Sequence, residues 1–179
     1  MSVFTNPASG SQAHAEAYIE AVLGLVGEQD PLAILRATDG ALHRAVDGLS
    51  AAATARPEAP GKWSIAQVLR HLADSEIVWG WRLRMVLAHD APELTGYDQD
   101  AWADRLGYAD ADPTESLEEF AVLRRGTLRL LERATPEDRK RFGVHDERGR
   151  ESVEHMIRLY AGHDRLHLRQ IERIRGAVA

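Results

Sequence analysis

Residues 151–175 read ESVEHMIRLYAGHDRLHLRQIERIR and carry the main structural signal of the chain. Its apolar residues recur in steps of three and four, the spacing that places side chains on one face of an α-helix. They are Val153, Met156, Tyr160, Ile171 and Ile174. The same spacing, continued between Tyr160 and Ile171, leads to positions 163 and 167, and both are histidine. The pattern therefore predicts a long helix with His163 and His167 on its buried face.

Four further stretches show helical spacing, and the signals at their starts agree with it. They cover residues 12–26, 31–49, 64–89 and 113–133. Asp30 followed by Pro31 is an N-cap acid before a proline at the first helical position. Ser64 with Gln67 three residues later forms a capping box. We interpret 50–61 as a loop, 90–113 as a long connection and 143–149 as a turn, and no segment shows convincing strand alternation. The sequence thus predicts an all-α fold, a four-helix bundle with an additional N-terminal helix.

Length and composition indicate an ordinary globular protein of one domain, which we assign to residues 1–179 with 1–11 flexible. Lys and Arg number 22 against 28 Asp and Glu, a net charge of −6, so we expect no nucleic-acid partner. The chain has no cysteine, which excludes disulfides and protein thiolates as metal ligands or nucleophiles. We find no secretory signal and no apolar run that could span a membrane, and we expect a cytoplasmic location without membrane contact.

The histidine pair in the last helix has the spacing of a metal site. Residues four apart project from one face, so His163 and His167 can reach the same ion. His71 lies at the edge of the apolar stripe of residues 64–89 and is the best candidate for a third ligand. The alternative is that these histidines only form hydrogen bonds across the bundle. The remaining five histidines are weaker candidates, and His145 falls in the predicted turn.

The order and spacing of several short motifs resemble the DinB superfamily, including its YfiT-like members. The motifs are Trp63-Ser64, His71-Leu72 with Glu76, and His163-Asp164-x-x-His167-x-x-Gln170-Ile171, together with Gly27-Glu28-Gln29-Asp30-Pro31 and the turn at His145-Asp146-Glu147-Arg148-Gly149. The resemblance covers the chain from about residue 15 onward. It implies an up-down four-helix bundle, frequently a homodimer, in which three histidines bind a metal. These histidines fall on His71, His163 and His167.

Three functions remain open. The resemblance implies transfer of a low-molecular-weight thiol such as bacillithiol or mycothiol to a small electrophile. A second possibility is metal-assisted hydrolysis of a small molecule, which needs a general base, and Asp74, Glu76 and Asp164 are the candidates. The third is a metal-binding, stress-associated protein without turnover.

We expect one divalent metal ion, with zinc or nickel ahead of iron or manganese, because imidazole ligands suit several transition metals. A small-molecule substrate would bind beside this ion. The residues expected around the histidines or in the pocket are Ser75, Tyr160, Asp164 and Gln170.

Overall fold

A computed structural model describes residues 12–178 of the chain, with side chains from Glu16 onward. Its helices are α1 (Gln12–Val26), α2 (Pro31–Val46), α3 (Ala51–Ala55), α4 (Ile65–Ala88), α5 (Gln99–Arg105), α6 (Pro113–Arg133), α7 (Pro136–Lys140) and α8 (Val153–Val178), with a 3₁₀ turn at Tyr108–Asp110. The strands are β1 (Glu93–Leu94), β2 (Phe142–His145) and β3 (Gly149–Ser152). The expectation that residues 1–11 are flexible concerns residues outside this range.

Helices α2, α4, α6 and α8 form the four-helix bundle, which confirms the predicted fold class. Helix α2 packs against α6 and α8, and α4 packs against the same two helices. Consecutive helices α2 and α4 therefore stand at opposite corners. Helix α1 is the additional helix and packs on α8.

The helices run up, down, down and up in chain order, which differs from strict up-down alternation. The contacts between α4 and α6 advance together along both helices, from Arg70–Glu119 to Glu76–Arg124, so these helices are parallel. Helix α2 runs parallel to α8 in the same way, whereas α4 and α8 are antiparallel. The reason lies in residues 89–112, a connection long enough to bring the chain back along α4, which is about 36 Å long.

A polar layer divides the core of the bundle into two apolar clusters. On α8 one cluster spans residues 153–161 and the other 171–178. On α4 the corresponding residues are 79–86 and 65–73. Buried polar side chains fill the level between them: Thr38, His71, Glu76, Arg124, Asp164 and His167. The fold therefore brings the chemically active residues of four helices to the middle of the bundle.

Helix α1 approaches α8 closely because residue 162 is glycine. A Cβ atom at Gly162 would lie 2.2 Å from the carbonyl oxygen of Val22, a distance that atoms do not tolerate. This contact fixes α1 beside the helix that carries the histidine pair. It also places Tyr18 of α1 at the wall of a cavity.

The expectation that the chain lacks strands was wrong, because a small sheet stands beside the bundle. Strands β2 and β3 form an antiparallel hairpin, and β1 pairs in parallel with β2. The predicted turn at 143–149 is thus mostly strand. Strands of two to four residues are too short to show a period of two in the sequence. Gly143 permits the pairing, since a Cβ there would lie 2.7 Å from the side chain of Leu94.

Two other local predictions can be compared with the structure. The predicted capping box at the start of α4 is present, with Ser64 N donating to Gln67 Oε1 at 2.9 Å. The predicted loop at 50–61 instead contains the short helix α3, which Ser50 caps. No helix in the range 12–178 has the length and apolar character needed to cross a membrane.

Candidate metal centre

Three histidine side chains converge in the polar layer, one from α4 and two from α8. The Nε2 atoms of His71 and His163 are 3.2 Å apart. The ring of His167 lies 4.7 Å from that of His71 and 4.4 Å from that of His163, measured between centroids. One nitrogen of each ring lies within 4.8 Å of the other two. The side chains that the sequence singled out as metal ligands are therefore brought together.

Burial keeps these imidazoles neutral. It lowers the pKa of His71 and of His163 well below the usual range, and the neighbouring histidines lower both values further. Burial also lowers the pKa of His167 to about 4, although a hydrogen bond from His167 to the side-chain oxygen of Gln170 opposes this shift. Metals bind the neutral form of imidazole, so the three nitrogens are in the state that coordination requires.

Gln170 fixes the orientation of one ring. Its side-chain oxygen lies 2.8 Å from Nδ1 of His167 and accepts the proton of that nitrogen. The proton is thereby held on Nδ1, which leaves Nε2 with a free lone pair. Ligand histidines characteristically donate their other ring N–H in this way.

The donor set fits a small divalent ion. Zinc is bound by imidazole nitrogen at about 2.0–2.1 Å, so two ligands of a tetrahedral site lie about 3.3 Å apart. The separation of 3.2 Å between the His71 and His163 nitrogens is close to this value. Without an ion, the two Nε2 atoms can share only one proton in a hydrogen bond, and Nδ1 of His71 has no hydrogen-bond partner. Three histidines would also leave one coordination position open.

The other residues predicted near the site fall into two groups. The hydroxyl of Ser75 is 3.4 Å from Nε2 of His71, and the ring of Tyr160 lies 6.0 Å from that of His163. Both residues line the cavity beside the histidines. Asp164 is directed elsewhere, because its carboxylate accepts hydrogen bonds from Arg124 and Thr38.

None of the three carboxylates considered as a general base is free. Asp74 accepts from Arg70 and from the hydroxyl of Tyr108, the latter at 2.6 Å. Glu76 and Asp164 both bind Arg124 in the core of the bundle. The burial of Glu76 raises its pKa, and Arg124 opposes that shift. These acids hold the helices together and do not face the cavity.

A cavity opens next to His163 and His167, and most of its lining is not predicted by the sequence. Its wall includes Ser75, Tyr160 and Leu159 from the bundle, together with residues from α1, from the connection after β1 and from the hairpin turn. The polar residues missed by sequence reasoning are Tyr18, Arg82, Tyr97, Gln99, Glu147 and Arg148. Among the described lining residues, Glu147 is the sole carboxylate.

His145, predicted from the sequence to lie in a turn and to be a weak ligand candidate, is instead buried at the end of β2. Burial lowers its pKa to about 4, with further lowering by Arg148 and Arg82. Its ring nitrogen and the carboxylates of Asp146 and Glu147 also come within 4.8 Å of one another. Asp146 is half exposed and accepts the backbone N–H of Gly96 at 3.0 Å. This group offers a less enclosed donor set than the three histidines.

Two curated relatives show what the chain is similar to. YfiT of Bacillus subtilis, named as a candidate metal-dependent hydrolase, is 29% identical over 139 residues, which cover 77% of this chain and 78% of YfiT. A protein of Oceanobacillus iheyensis with the same kind of name is 34% identical over 112 residues. That match covers 62% of this chain and 64% of the relative, which is slightly less than two thirds of its length.

The fold and the family agree with these similarities. The solved structure of YfiT, described as an unusual four-helix bundle topology, matches with a TM-score of 0.76 and 27% identity over 80% of this chain and 83% of the other. The family model of the DinB superfamily matches residues 34–171, which is most of the described chain. The chain belongs to the DinB superfamily.

Proposed function

We propose that this protein is a metal-dependent enzyme that acts on a small molecule. One observation carries the proposal: three neutral histidines converge within 4.8 Å of one another, and two of them, His163 and His167, line a cavity. His71, His163 and His167 would hold the ion, and zinc or nickel is the first candidate. A divalent ion with an open coordination position would act as a Lewis acid and lower the pKa of a water or thiol bound to it.

We propose thiol transfer as the reaction, with a low-molecular-weight thiol of the bacillithiol or mycothiol type as one substrate. The sulfur would form a bond to an electrophilic carbon while the leaving group departs, and the thiol proton would pass to the leaving group or solvent. The proposal of thiol transfer is supported by the carboxylates near the histidines, which are not available as general bases. Asp74, Glu76 and Asp164 are held in ion pairs, and thiol ionisation needs a general base less than hydrolysis does.

Hydrolysis is the second candidate function, and two observations favour it. The names of the relatives describe metal-dependent hydrolases. The cavity also contains one carboxylate, that of Glu147, which could accept a proton from water. This residue would replace the three acids that the sequence suggested. A protein that binds metal without turnover is the outcome if neither reaction occurs.

Elemental analysis of the untagged protein tests the metal site. We expect about one equivalent of divalent metal in the parent and in His155→Ala, which changes a half-buried histidine of α8 outside the cluster. We expect a loss of metal in His167→Ala. A parent that holds no metal after incubation with zinc or nickel would overturn the proposal.

Turnover assays with the loaded protein then separate the reactions. Conjugation of bacillithiol or mycothiol to monochlorobimane would support thiol transfer. Loss of this activity in Glu147→Gln would mean that the acid takes part in the transfer. Ester cleavage that is independent of thiol and lost in Glu147→Gln would support hydrolysis instead.

We also propose a homodimer. Ile77 and Trp81 lie one turn apart on α4 and expose 44% and 62% of their surfaces. Two exposed apolar side chains on one face fit an interface between copies of the chain better than they fit solvent. Sedimentation of the parent and of Trp81→Ser measures this directly, and a monomeric parent would contradict the proposal.

A further inference from the structure

Arg82 of α4 is a buried cation without an acidic partner. Only 5% of its surface is exposed, and its guanidinium donates to the carbonyl oxygen of Thr95. The Nε atom has no hydrogen-bond partner. No carboxylate of residues 16–178 lies within ion-pair distance of this guanidinium.

Arg124, which is also buried, and the partly buried Arg148 are neutralised by acids. Arg124 binds Glu76 and Asp164, and Arg148 binds both oxygens of Glu151 at 2.6 and 3.0 Å. Arg82 has no such partner, although it is buried like Arg124 and more enclosed than Arg148. Burial of a charge without a counter-charge is costly, so the retention of such a charge favours a role in binding.

The acids nearest to Arg82 are otherwise engaged. The carboxylate of Asp146 accepts the backbone N–H of Gly96, and its side chain is 52% exposed. The carboxylate of Glu147 lies against Gly96, so close that a Cβ at that glycine would be 3.0 Å from it. Both carboxylates therefore lie against the loop at Gly96 and form no ion pair with Arg82, which leaves the guanidinium available to a ligand.

Arg82 lines the same cavity as His163 and His167, and His71 lies directly behind these two rings. Arg82 follows His71 by eleven residues on α4, which is three helical turns, so both side chains leave the helix on the same side. The rise between the two Cα atoms is about 16 Å, and an arginine side chain in a helix leans back toward the N-terminus. The hydroxyls of Ser75 and Tyr97, 3.4 Å apart, lie in the intervening wall.

We propose that Arg82 binds a carboxylate or phosphate group of the substrate, in the part of the cavity away from the three histidines. The substrate is then a small, elongated anion whose reactive atom lies near the histidines and whose charged group lies at Arg82. The inference rests on the proposed function for the reaction, but the binding of the anion does not require the metal.

Fluorine NMR with three probes tests the proposal: 4-fluorobenzoate, 4-fluorophenyl phosphate and the neutral 4-fluorobenzamide. The titrations use the zinc-loaded protein and the protein treated with EDTA, because a carboxylate could also bind zinc. In both forms we expect at least one anion to bind more tightly than the amide. The anion that binds identifies whether the site prefers carboxylate or phosphate.

Substitution of Arg82 provides the decisive comparison. We expect Arg82→Gln to weaken anion binding to the EDTA-treated protein roughly tenfold or more, the loss typical of a hydrogen bond to a charged group, and to leave the amide unchanged. Arg82→Lys keeps the charge and is expected to retain part of the affinity. Arg141→Gln is the matched control, because Arg141 also donates to backbone carbonyls but does not line the cavity.

Two outcomes would overturn the inference: anions that bind the parent no better than the amide, or anion affinity that survives in folded Arg82→Gln. If that variant does not fold, backbone N–H chemical shifts of the parent test the site instead. Anion binding at Arg82 must change the shifts of Gly96 and Tyr97. Loss of metal binding with intact anion binding would refute the proposed function alone. Metal binding without anion binding would refute only the role of Arg82.

Discussion

The ion-pair network of Arg124 and the three-histidine cluster lie at the same level of the bundle and share α4 and α8. Arg124 uses all five of its N–H groups, in bonds to Glu76, Asp164 and the carbonyl oxygen of Leu35. Thr38 donates a further bond to Asp164 at 2.6 Å. Of the four carboxylate oxygens of Glu76 and Asp164, Oε2 of Glu76 alone has no hydrogen-bond partner. The histidines instead direct nitrogens toward one another, and one wall of their cluster is a cavity.

The difference separates two roles for buried polar groups. A network whose donors are all used has no capacity for a ligand, and its effect is to hold four helices in register. A cluster with unused lone pairs next to a cavity can bind an ion or a substrate. Asp164 shows how sharply the two roles divide, since it follows His163 directly in the chain yet belongs to the closed network.

Removal of the central cation of the closed network is expected to have the largest effect on stability. Arg124→Met leaves two carboxylates buried without a counter-charge, so we expect the free energy of unfolding to fall by about 3–5 kcal/mol. Urea denaturation measures the loss. The control is Arg36→Met, because Arg36 pairs with Glu132 at the surface and such pairs contribute about 0–1 kcal/mol. Equal losses in the two variants would contradict the distinction between the buried network and an ordinary surface pair.

The same comparison shows how far sequence reasoning reaches. The histidine cluster was predictable, because the apolar rhythm of one helix marks positions 163 and 167 and the capping box marks the start of the helix that carries His71. Both signals are local. The acids were misjudged because nearness in sequence to a histidine says nothing about the direction of a side chain: Asp164 faces α6, away from its neighbour's ring.

The cavity wall was not predictable for a related reason. Arg82 looks like any polar residue on a helix, and only the pairing of β1 with the hairpin brings Tyr97 and Glu147 beside it. These strands have two to four residues, too few to show a pattern. The parallel run of α4 and α6 depends on the path of a long connection, which leaves no periodic signal.

Acid titration of the metal-free protein is expected to have the next largest effect. His167 has a folded pKa of about 4, below the ordinary 6.5, and the pKa values of His71 and His163 are lowered too. Between pH 6.5 and 4 the unfolded chain therefore binds protons that the folded chain does not. For His167 the free energy of unfolding is expected to fall through this window by about 1.4 kcal/mol per pH unit, roughly 3 kcal/mol in all, and His71 and His163 act in the same direction.

Urea denaturation in EDTA at pH 7, 6 and 5 measures this slope. His145 contributes in the same direction, because its pKa is also lowered to about 4. Glu76 opposes it, since a raised folded pKa stabilises the fold as the pH falls. His167→Asn removes one titrating group and is expected to reduce the slope. A stability that is flat from pH 7 to pH 5 would mean that the histidines are not held neutral.

The smallest effect is expected for Gln170→Leu, and it is an effect on metal affinity. It tests whether a hydrogen bond beside the histidine cluster serves metal binding or only structure. The variant removes the acceptor for Nδ1–H of His167 at 2.8 Å and leaves the three nitrogens of the cluster in place. Partners that orient a ligand histidine typically contribute 10- to 100-fold in metal affinity, about 1.4–2.7 kcal/mol. Zinc competition against a chromogenic chelator measures the change. Gln67→Leu is the control, because Gln67 caps the start of α4 by a hydrogen bond to Ser64 and contacts no histidine of the cluster. If Gln170→Leu binds zinc as tightly as Gln67→Leu does, the hydrogen bond at His167 has only a structural role, like the hydrogen bonds of Arg124. The convergence of the three histidines would then be sufficient to hold the metal.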